Sequence, residues 1–402
     1  MAENVSRRSG LRSRRTNTLS KEERFWRDFR RRISAGQVIP IVSNSVRNDR
    51  IFDIDFDYNL GLMREKANLH AEILNIKEEL AEEWAKEIGY PLPDKHRLTR
   101  VAVYNRTESR DDMDAKTEYL WFLKEYLLDL AEEDEEVEEV IPVLREDLET
   151  LSFTDIAEQL NYPRFEDPAE DPLALLAQLP LPIYATTSHH DFLERALEDA
   201  GKEPRTQVCF LFGEPPNVDP KHRIDPDFVP SPDAPVVYHL HGYELYPESL
   251  VISEDDYLDF LVRVLDERRE TKDPFIPQRL SEALSMSSVV LLGYRLHDWD
   301  FRVIFRGLIK TKPIGGRKYG LAIQLDPVEQ RLAMANLDSL FSTAIATKLG
   351  PYDYEEIPED HAARTYLKKY FESEKFSVEW GTVHGFVKQL CDRWDEWRGG
   401  RA

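Results

Sequence analysis

The chain has 402 residues, of which 32% are charged, and its formal net charge is −23. This length allows one large domain or two to three of average size, with enough apolar side chains for a buried core. The two cysteines, Cys209 and Cys391, form no CxxC pair, which argues against a zinc ribbon or a disulfide framework. No apolar run approaches the roughly 18 residues that a membrane span needs, so we expect a soluble, cytoplasmic protein without membrane contact.

The N-terminal segment differs in charge from the rest of the chain. Residues 1–32 contain eleven Lys/Arg and four Asp/Glu, which leaves about −30 on the remainder. We interpret residues 1–24 as a basic flexible arm; the alternative is an interaction tail for an acidic partner surface, a neighbouring subunit or nucleic acid. Because the body is acidic, we expect nucleic-acid contact through this arm alone. Ser20 followed by Glu23 predicts the N-cap of an amphipathic helix that Gly36 ends.

A buried strand is predicted next, over Val38 to Val42, with Ser43-Asn44-Ser45 as the loop that leaves it. In a doubly wound sheet, ligands bind beyond the carboxyl ends of the strands, so this loop is a candidate binding edge. Helical periodicity then covers residues 63–90 and 112–133. We therefore expect a helical insertion at residues 63–179, with the α/β domain formed by residues 25–62 and 180–402.

The second half alternates strand and helix patterns. Apolar, β-rich segments occur at Pro182–Thr187, Val208–Phe212, Val236–Leu240, Val289–Gly293, Gly320–Leu325 and Phe376–Trp380. Helical patterns occur at 190–200, 254–269, 276–287, 299–310 and 327–338. This alternation predicts an α/β fold, Rossmann-like and doubly wound, with a mostly parallel sheet and the inserted helical subdomain.

Polar residues follow the strand in PIYATTSHHDFLERAL. Thr187, Ser188, His189, His190 and Asp191 come between a strand exit and a helix start, where backbone N–H groups and the helix dipole favour phosphate. The alternative is that Ser188 or Asp191 only caps the helix that begins near Phe192.

The segment VYHLHG places His239 and His241 on the same side of a strand. A lone HxH is weak evidence for a metal, and we expect none. His241 followed by Gly242 fits a general base at the mouth of a cleft, since imidazole titrates near neutral pH and glycine lets a ligand approach the backbone. A structural histidine is the other interpretation.

A third polar turn occurs in VVLLGYRLHDWDFR. Gly293 at the end of the strand would admit a phosphate or a ribose, flanked by Tyr294, Arg295 and Asp298. A helix-capping aspartate and a surface arginine would explain the same residues equally well.

Together with FSVEWGTVHGFVKQL, these three motifs resemble the sirtuin-like domains of bacterial antiphage-defence proteins, over roughly residues 25–390. The resemblance implies a hydrolase (NADase) that cleaves NAD to nicotinamide and ADP-ribose, and that works as a homo-oligomer or with a partner ATPase or sensor protein. The zinc-ribbon cysteines of protein-deacylating sirtuins are missing from this sequence, so deacylation is the less favoured branch.

By this resemblance, His241 is the essential histidine and Gly293 belongs to the ribose-phosphate loop. Ser188 stands where the family has asparagine, and His190 where it has aspartate, with Asp191 adjacent. The first turn reads Ser43-Asn44-Ser45 in place of Gly-Ala-Gly, so either the nucleotide sits differently or it does not bind.

The predicted catalytic residues are accordingly His241 as base, Ser188 to place the water and Asp191 for negative potential, which Asp298 could also supply. The residues expected to bind NAD are Ser43, Asn44, Ser45, Thr187, His190, Gly242, Gly293, Tyr294, Arg295 and Asp298. Two alternatives stay open: a catalytically weak module that binds NAD or ADP-ribose, and a scaffold subunit of a defence complex.

Overall fold

The structure of the chain is a computed structural model. It describes residues 20–51, 76–132, 134–165, 170–225, 227–266, 275–296, 298–309, 320–324 and 358–399. The first nineteen residues of the predicted basic arm, the start of the predicted insertion at 63–75 and the predicted helix at 327–338 lie outside these ranges. Of the helices that are described, none is both long and apolar enough to cross a membrane.

Seven strands form one sheet in which every described pair is parallel, in the order β3-β4-β2-β1-β5-β6-β7. They are β1 (Val38–Val42), β2 (Ile183–Thr186), β3 (Arg205–Val208), β4 (Val236–His239), β5 (Ser288–Leu292), β6 (Gly320–Gln324) and β7 (Phe376–Trp380). The chain is therefore a Rossmann-like α/β protein, which confirms the predicted fold class.

Helices cover both faces of this sheet. Before β2 they are α1 (Lys21–Ser34), α2 (Ser45–Ile51), α3 (Ile76–Glu87), α4 (Leu98–Glu108), α5 (Asp112–Ala131), α6 (Ile141–Glu146), α7 (Phe153–Gln159) and α8 (Pro172–Ala177). After β2 they are α9 (Phe192–Asp199), α10 (Glu254–Asp266), α11 (Gln278–Met286), α12 (Trp299–Val303, continued by a π-helical stretch to Ile309), α13 (Pro358–Ser373) and α14 (Val383–Gly399). Helices α3 to α8 are thus inserted between β1 and β2.

The alternation of side chains along β1 divides the core in two. Val38 and Val42 pack on the face covered by α1, the inserted helices and α14, whereas Ile39 and Ile41 pack on the face covered by α10 to α13. All five residues of β1 are buried, as expected for a central strand of a parallel sheet.

The predicted start of the first helix is also observed. The Ser20 hydroxyl accepts from the backbone N–H of Glu23 at 3.1 Å, and the Glu23 carboxylate accepts from the backbone N–H of Ser20 at 2.7 Å. This capping box means that α1 begins at Lys21, inside the segment assigned to the arm.

One predicted strand was wrong. The apolar run Val208–Phe212 is not the third strand, because β3 ends at Val208. Its register is set by pairing with β4, where Arg205 lies opposite Val236. Because β3 is an edge strand with a partner on one side only, it can use polar residues, and the apolar run follows it.

Candidate functional site

A cavity of about 430 Å³ opens at the carboxyl ends of β1, β2 and β5, and we call it the strand-edge cavity. The strand order reverses here, since β2 lies on one side of β1 and β5 on the other. Ligands of doubly wound sheets bind at this point, and the volume lies within the range of small-molecule sites. The sheet and the helices after it contribute Asn44, Thr187, His189, Val251, Ile252, Glu254, Tyr257, Asp298, Trp299, Asp300 and Arg302. The insertion contributes Lys77, Glu78, His96, Arg97, Leu98, Thr99 and Tyr119.

The turn after β1 presents one side chain to the cavity. Ser43 is 2% exposed, and its hydroxyl accepts from the backbone N–H of Ser45 at 3.2 Å, so it supports the loop itself. Asn44 lines the cavity, and its buried Oδ1 has no hydrogen-bond partner. An unpaired buried acceptor is costly, so Asn44 is suited to accept a hydrogen bond from a ligand.

The turn after β5 is held against the turn after β1. Gly293 has a φ of +76°, and a Cβ there would lie 2.5 Å from Cγ2 of Val46. Glycine at this position therefore lets two protein loops pack closely. The sequence had suggested instead that it lets a phosphate approach the backbone. Tyr294 is buried, and its hydroxyl lies 3.1 Å from that of Thr187, which lines the cavity.

The loop after β2 is largely engaged in internal hydrogen bonds. The Ser188 hydroxyl accepts from the backbone N–H of His190, and the Asp191 carboxylate accepts from Arg195 at 3.3 Å. Asp191 is the N-cap residue of α9, but its side chain makes no capping hydrogen bond. Neither Ser188 nor Asp191 is among the residues that line the cavity, so the roles predicted for them have no contact to support them.

His190 is fully buried away from the cavity. Its Nδ1 donates to Oε1 of Glu244 at 2.9 Å, and the ring stacks on Phe153 with centroids 4.5 Å apart. The other oxygen of Glu244 accepts from the backbone N–H of Phe153 at 2.9 Å. His190 thus connects the insertion to the loops after β2 and β4 and does not line the cavity.

The glycine after β4 also has a structural role. Gly242 has a φ of +85°, and a Cβ would lie 2.2 Å from the carbonyl oxygen of Ser249. The chain turns back on itself here, so the close approach is again to protein backbone and not to a ligand.

His241 does not lie at the mouth of a cleft, as the sequence had suggested. It is 1% exposed, packs edge-on against Tyr257 and Phe260, and does not line the cavity. Burial lowers its pKa to about 4, although Asp300, with Oδ1 4.0 Å from Nδ1, opposes the shift. His241 is therefore a neutral imidazole behind the cavity wall. It lies next to Asp300, which does line the cavity.

Asp300 and Tyr257, which sequence reasoning missed, line the buried end of the cavity. Asp300 is 7% exposed, accepts from the Tyr257 hydroxyl and lies 3.5 Å from Nζ of Lys77. Burial alone would raise its pKa, but the Lys77 ammonium and the Tyr257 hydroxyl lower it below its ordinary value. Asp300 is thus a carboxylate at neutral pH. Only the spacing Asp298-Trp299-Asp300 at the predicted helix start could have pointed to it.

His189 is the imidazole that lines the cavity. It is 6% exposed, and both ring nitrogens are buried without a hydrogen-bond partner. Burial, reinforced by the neighbouring His190 and His241, lowers its pKa well below its ordinary value, so the ring is neutral. The sequence analysis placed His189 and His190 together at the strand exit but expected His190 to bind the ligand.

The remaining predicted residues differ in position. Asp298 lines the cavity and pairs with Lys77 at 3.4 Å, whereas Arg295 and Ser45 do not line it. Nε2 of His239 lies 2.8 Å from Oε1 of Glu194. In the described ranges, no cluster of three or more His, Cys, Asp or Glu side chains is arranged as a metal site.

Fold and site define a class: a Rossmann-like α/β protein with a ligand cavity at the reversal of strand order. Residues 182–335 match the family model described as a SIR2-like domain. This match begins before β2 and leaves β1 and the insertion outside, so it is shorter than the predicted resemblance. SIR2-like domains bind NAD, and the match therefore indicates a NAD-related function. A search of curated proteins finds no relative that matches the chain.

Proposed function

We propose that the chain is an NAD hydrolase that binds NAD in the strand-edge cavity and cleaves the bond between nicotinamide and ribose. The observation that carries the proposal is the position of this cavity, at the point where the strand order of the sheet reverses. Strands β2 to β6 of this sheet lie within the SIR2-like match. The unpaired polar atoms of Asn44 and His189 support it, because a ligand would satisfy them.

The reaction needs no redox partner. The C1′–N bond breaks with its electron pair going to the nicotinamide nitrogen, which neutralises the ring and leaves a ribose cation. Water adds to C1′, and its proton goes to a base and then to solvent. The site must therefore stabilise positive charge on the sugar and supply a neutral base.

Two neutral imidazoles are candidates for the base. Resemblance assigns the role to His241, whereas geometry favours His189, which lines the cavity. Asp300 is the carboxylate placed to balance the positive charge, in place of Asp191, which is paired with Arg195.

The test is to incubate the purified chain with NAD and quantify nicotinamide and ADP-ribose by chromatography. Replacing the base by glutamine should lower kcat by roughly 10²- to 10⁴-fold, so His189→Gln and His241→Gln identify it. His361→Gln, at an exposed position of α13, is the matched control and should keep wild-type activity. Unchanged activity in both His189→Gln and His241→Gln would remove the imidazoles from the mechanism, and no product from the wild type would refute the reaction.

The second candidate is a module that binds NAD or ADP-ribose without turnover. It is favoured by the burial of His241 behind the cavity wall and by the internal hydrogen bond of Ser188, which stands in the place of the family's asparagine. Calorimetric binding of NAD without product formation would select it.

The biological setting we propose is bacterial antiphage defence, in which the chain acts as a homo-oligomer or with a partner ATPase or sensor protein. This part rests on the sequence resemblance. Cells that carry the gene should lose NAD after phage infection, and cells with an inactive variant should keep it. Equal NAD levels in the two strains would contradict the defence role.

A further inference from the structure

We propose that the buried end of the strand-edge cavity holds a positively charged aromatic ring, and that Asp300 selects for the charge. This inference rests on the proposed function, because the nicotinamide ring of NAD is cationic until it is cleaved. It adds a residue with a specific task, the discrimination between cationic and neutral rings.

The cavity has two ends that differ in burial. Thr187, His189, Tyr257 and Asp300 are buried and form its inner end. The outer end is lined by exposed residues of the insertion and of α12, namely Glu78, His96, Arg97 and Arg302. Charges act most strongly at the inner end, because little water reaches it to screen them.

Asp300 is the anionic group at this inner end. Its two oxygens are differently occupied: Oδ1 accepts from the Tyr257 hydroxyl, and Oδ2 lies 3.5 Å from Nζ of Lys77. Lys77 also contacts Asp298 at 3.4 Å, so it can keep that ion pair if a ligand takes its place beside Asp300. Tyr257 therefore holds the carboxylate in position, and a cationic ligand can replace Lys77 beside it.

Aromatic side chains border the same end. Tyr257 and Trp299 are stacked, with centroids 6.2 Å apart and an angle of 12° between their planes, and both line the cavity together with Tyr119. The faces of aromatic rings attract cations, and flat rings stack on them. These residues suit a flat cation better than the flexible ammonium of a lysine.

The two imidazoles near this end offer no opposing charge. Burial lowers the pKa of both His189 and His241, so they are neutral at pH 7. A cationic ring would accordingly meet aromatic faces, neutral hydrogen-bonding groups and two carboxylates, Asp298 and Asp300, whose charge exceeds that of the one ammonium between them, Lys77. A neutral ring of the same shape would gain the packing alone.

The experiment compares two probes, the cation 1-methylnicotinamide and neutral nicotinamide, in calorimetric titrations of the full chain at pH 7.5 and low salt. The wild type should bind the cation at least tenfold more tightly, and the ratio should fall with added salt. Equal affinities for the two probes in the wild type would overturn the inference, whatever the variants show.

Variants assign the effect to the carboxylate. Asp300→Asn should bring the affinity ratio to about one, and Asp300→Glu, which keeps the charge, should retain most of it. Asp259→Asn, at an exposed position of α10, is the matched control and should leave the ratio unchanged. A folded Asp300→Asn protein that still prefers the cation would refute the role of Asp300.

NAD cleavage is measured on the same samples to separate the two proposals. Preference for the cation without NAD cleavage would support the inference and refute the proposed reaction. NAD cleavage by a wild type that shows no preference would support the reaction and refute the inference.

Discussion

His239 and His241 lie two residues apart at the end of β4 and have opposite electrostatic environments. Burial alone would lower the pKa of His239, but Glu194, 2.8 Å from Nε2, and the Ser188 carbonyl raise it above its ordinary value. His241 has no carboxylate in hydrogen-bond contact, and burial lowers its pKa to about 4. Sequence spacing predicted that the two rings share one side of a strand, but β4 ends at His239. His239 pairs with Glu194 of α9, whose apolar side chains belong to one core, whereas His241 contacts Tyr257 and Phe260 of the other.

This difference predicts how stability depends on pH. Because the pKa of His241 is lower in the folded chain than its ordinary value of 6.5, the unfolded chain binds a proton first as the pH falls. The contribution of His241 is therefore present above pH 6.5 and is lost as the pH falls towards 4. Linkage gives a loss of about 2 kcal/mol at pH 5 for a pKa shift of this size.

Urea unfolding of the wild type and His241→Gln at pH 7.5 and pH 5 measures the effect. The free energy of unfolding of the wild type should fall between these pH values by about 2 kcal/mol more than that of the variant. Other titrating groups are common to both proteins and cancel in the comparison. The same pH dependence in both would mean that the ring is solvated in the native state.

Part of the candidate site could be predicted from the sequence, and part could not. Asn44, Thr187 and Asp298 were found because they follow parallel strands, whose carboxyl ends meet at one edge. Lys77 and Tyr119 were missed because they lie on helices of the insertion, whose contact with this edge depends on tertiary packing. Asp300 was missed because a carboxylate at a helix start looks like an ordinary capping residue.

At the scale of elements, Glu244 connects three parts of the fold. The residue follows β4, and its carboxylate accepts from His190 in the loop after β2 and from the backbone N–H of Phe153 at the start of α7. Its own N–H donates to the carbonyl of His189. Glu244→Gln removes one acceptor from a buried network, and we expect it to cost about 1–3 kcal/mol of unfolding free energy.

Hydrogen exchange shows which part of the fold loses stability in this variant. In Glu244→Gln, the amides of α7 (Phe153–Gln159) should exchange faster, while those of β1 stay protected, since the lost contact holds the insertion and not the sheet. Glu198→Gln, exposed on α9, is the control and should exchange like the wild type. Faster exchange throughout the sheet would show that the insertion and the sheet unfold as one unit.

The elements themselves followed closely from the sequence. Strands β1 and β7 have the predicted bounds, β4 and β6 differ by one residue at one end, and β2 and β5 differ by one residue at both ends. Runs of apolar residues identify these strands because they are buried on both faces. The edge strand β3 is the exception, because its residues Arg205–Val208 are mostly polar and only pairing with β4 defines it.

At the scale of the whole molecule, charge is divided between a basic N-terminal segment and an acidic body. Residues 1–19 contain five arginines and one acidic residue, whereas the chain beyond residue 32 carries about −30. Copies of such a body repel one another, so self-association needs a contact that offsets the repulsion. The arm of one copy against the acidic surface of another would provide it.

Deleting residues 1–19 should therefore abolish self-association without unfolding the chain, because Ser20 and Glu23 still cap α1. Light scattering coupled to size exclusion should show an oligomer for the full chain at 50 mM salt and a monomer at 500 mM, since salt at that level screens exposed charges beyond several ångströms. The truncated chain should be monomeric at both. Deleting residues 1–24 instead removes the capping box and should lower the unfolding free energy by about 1 kcal/mol. If the chain that lacks residues 1–19 keeps the mass of the full chain at 50 mM salt, the contact that joins the copies lies outside the N-terminal arm.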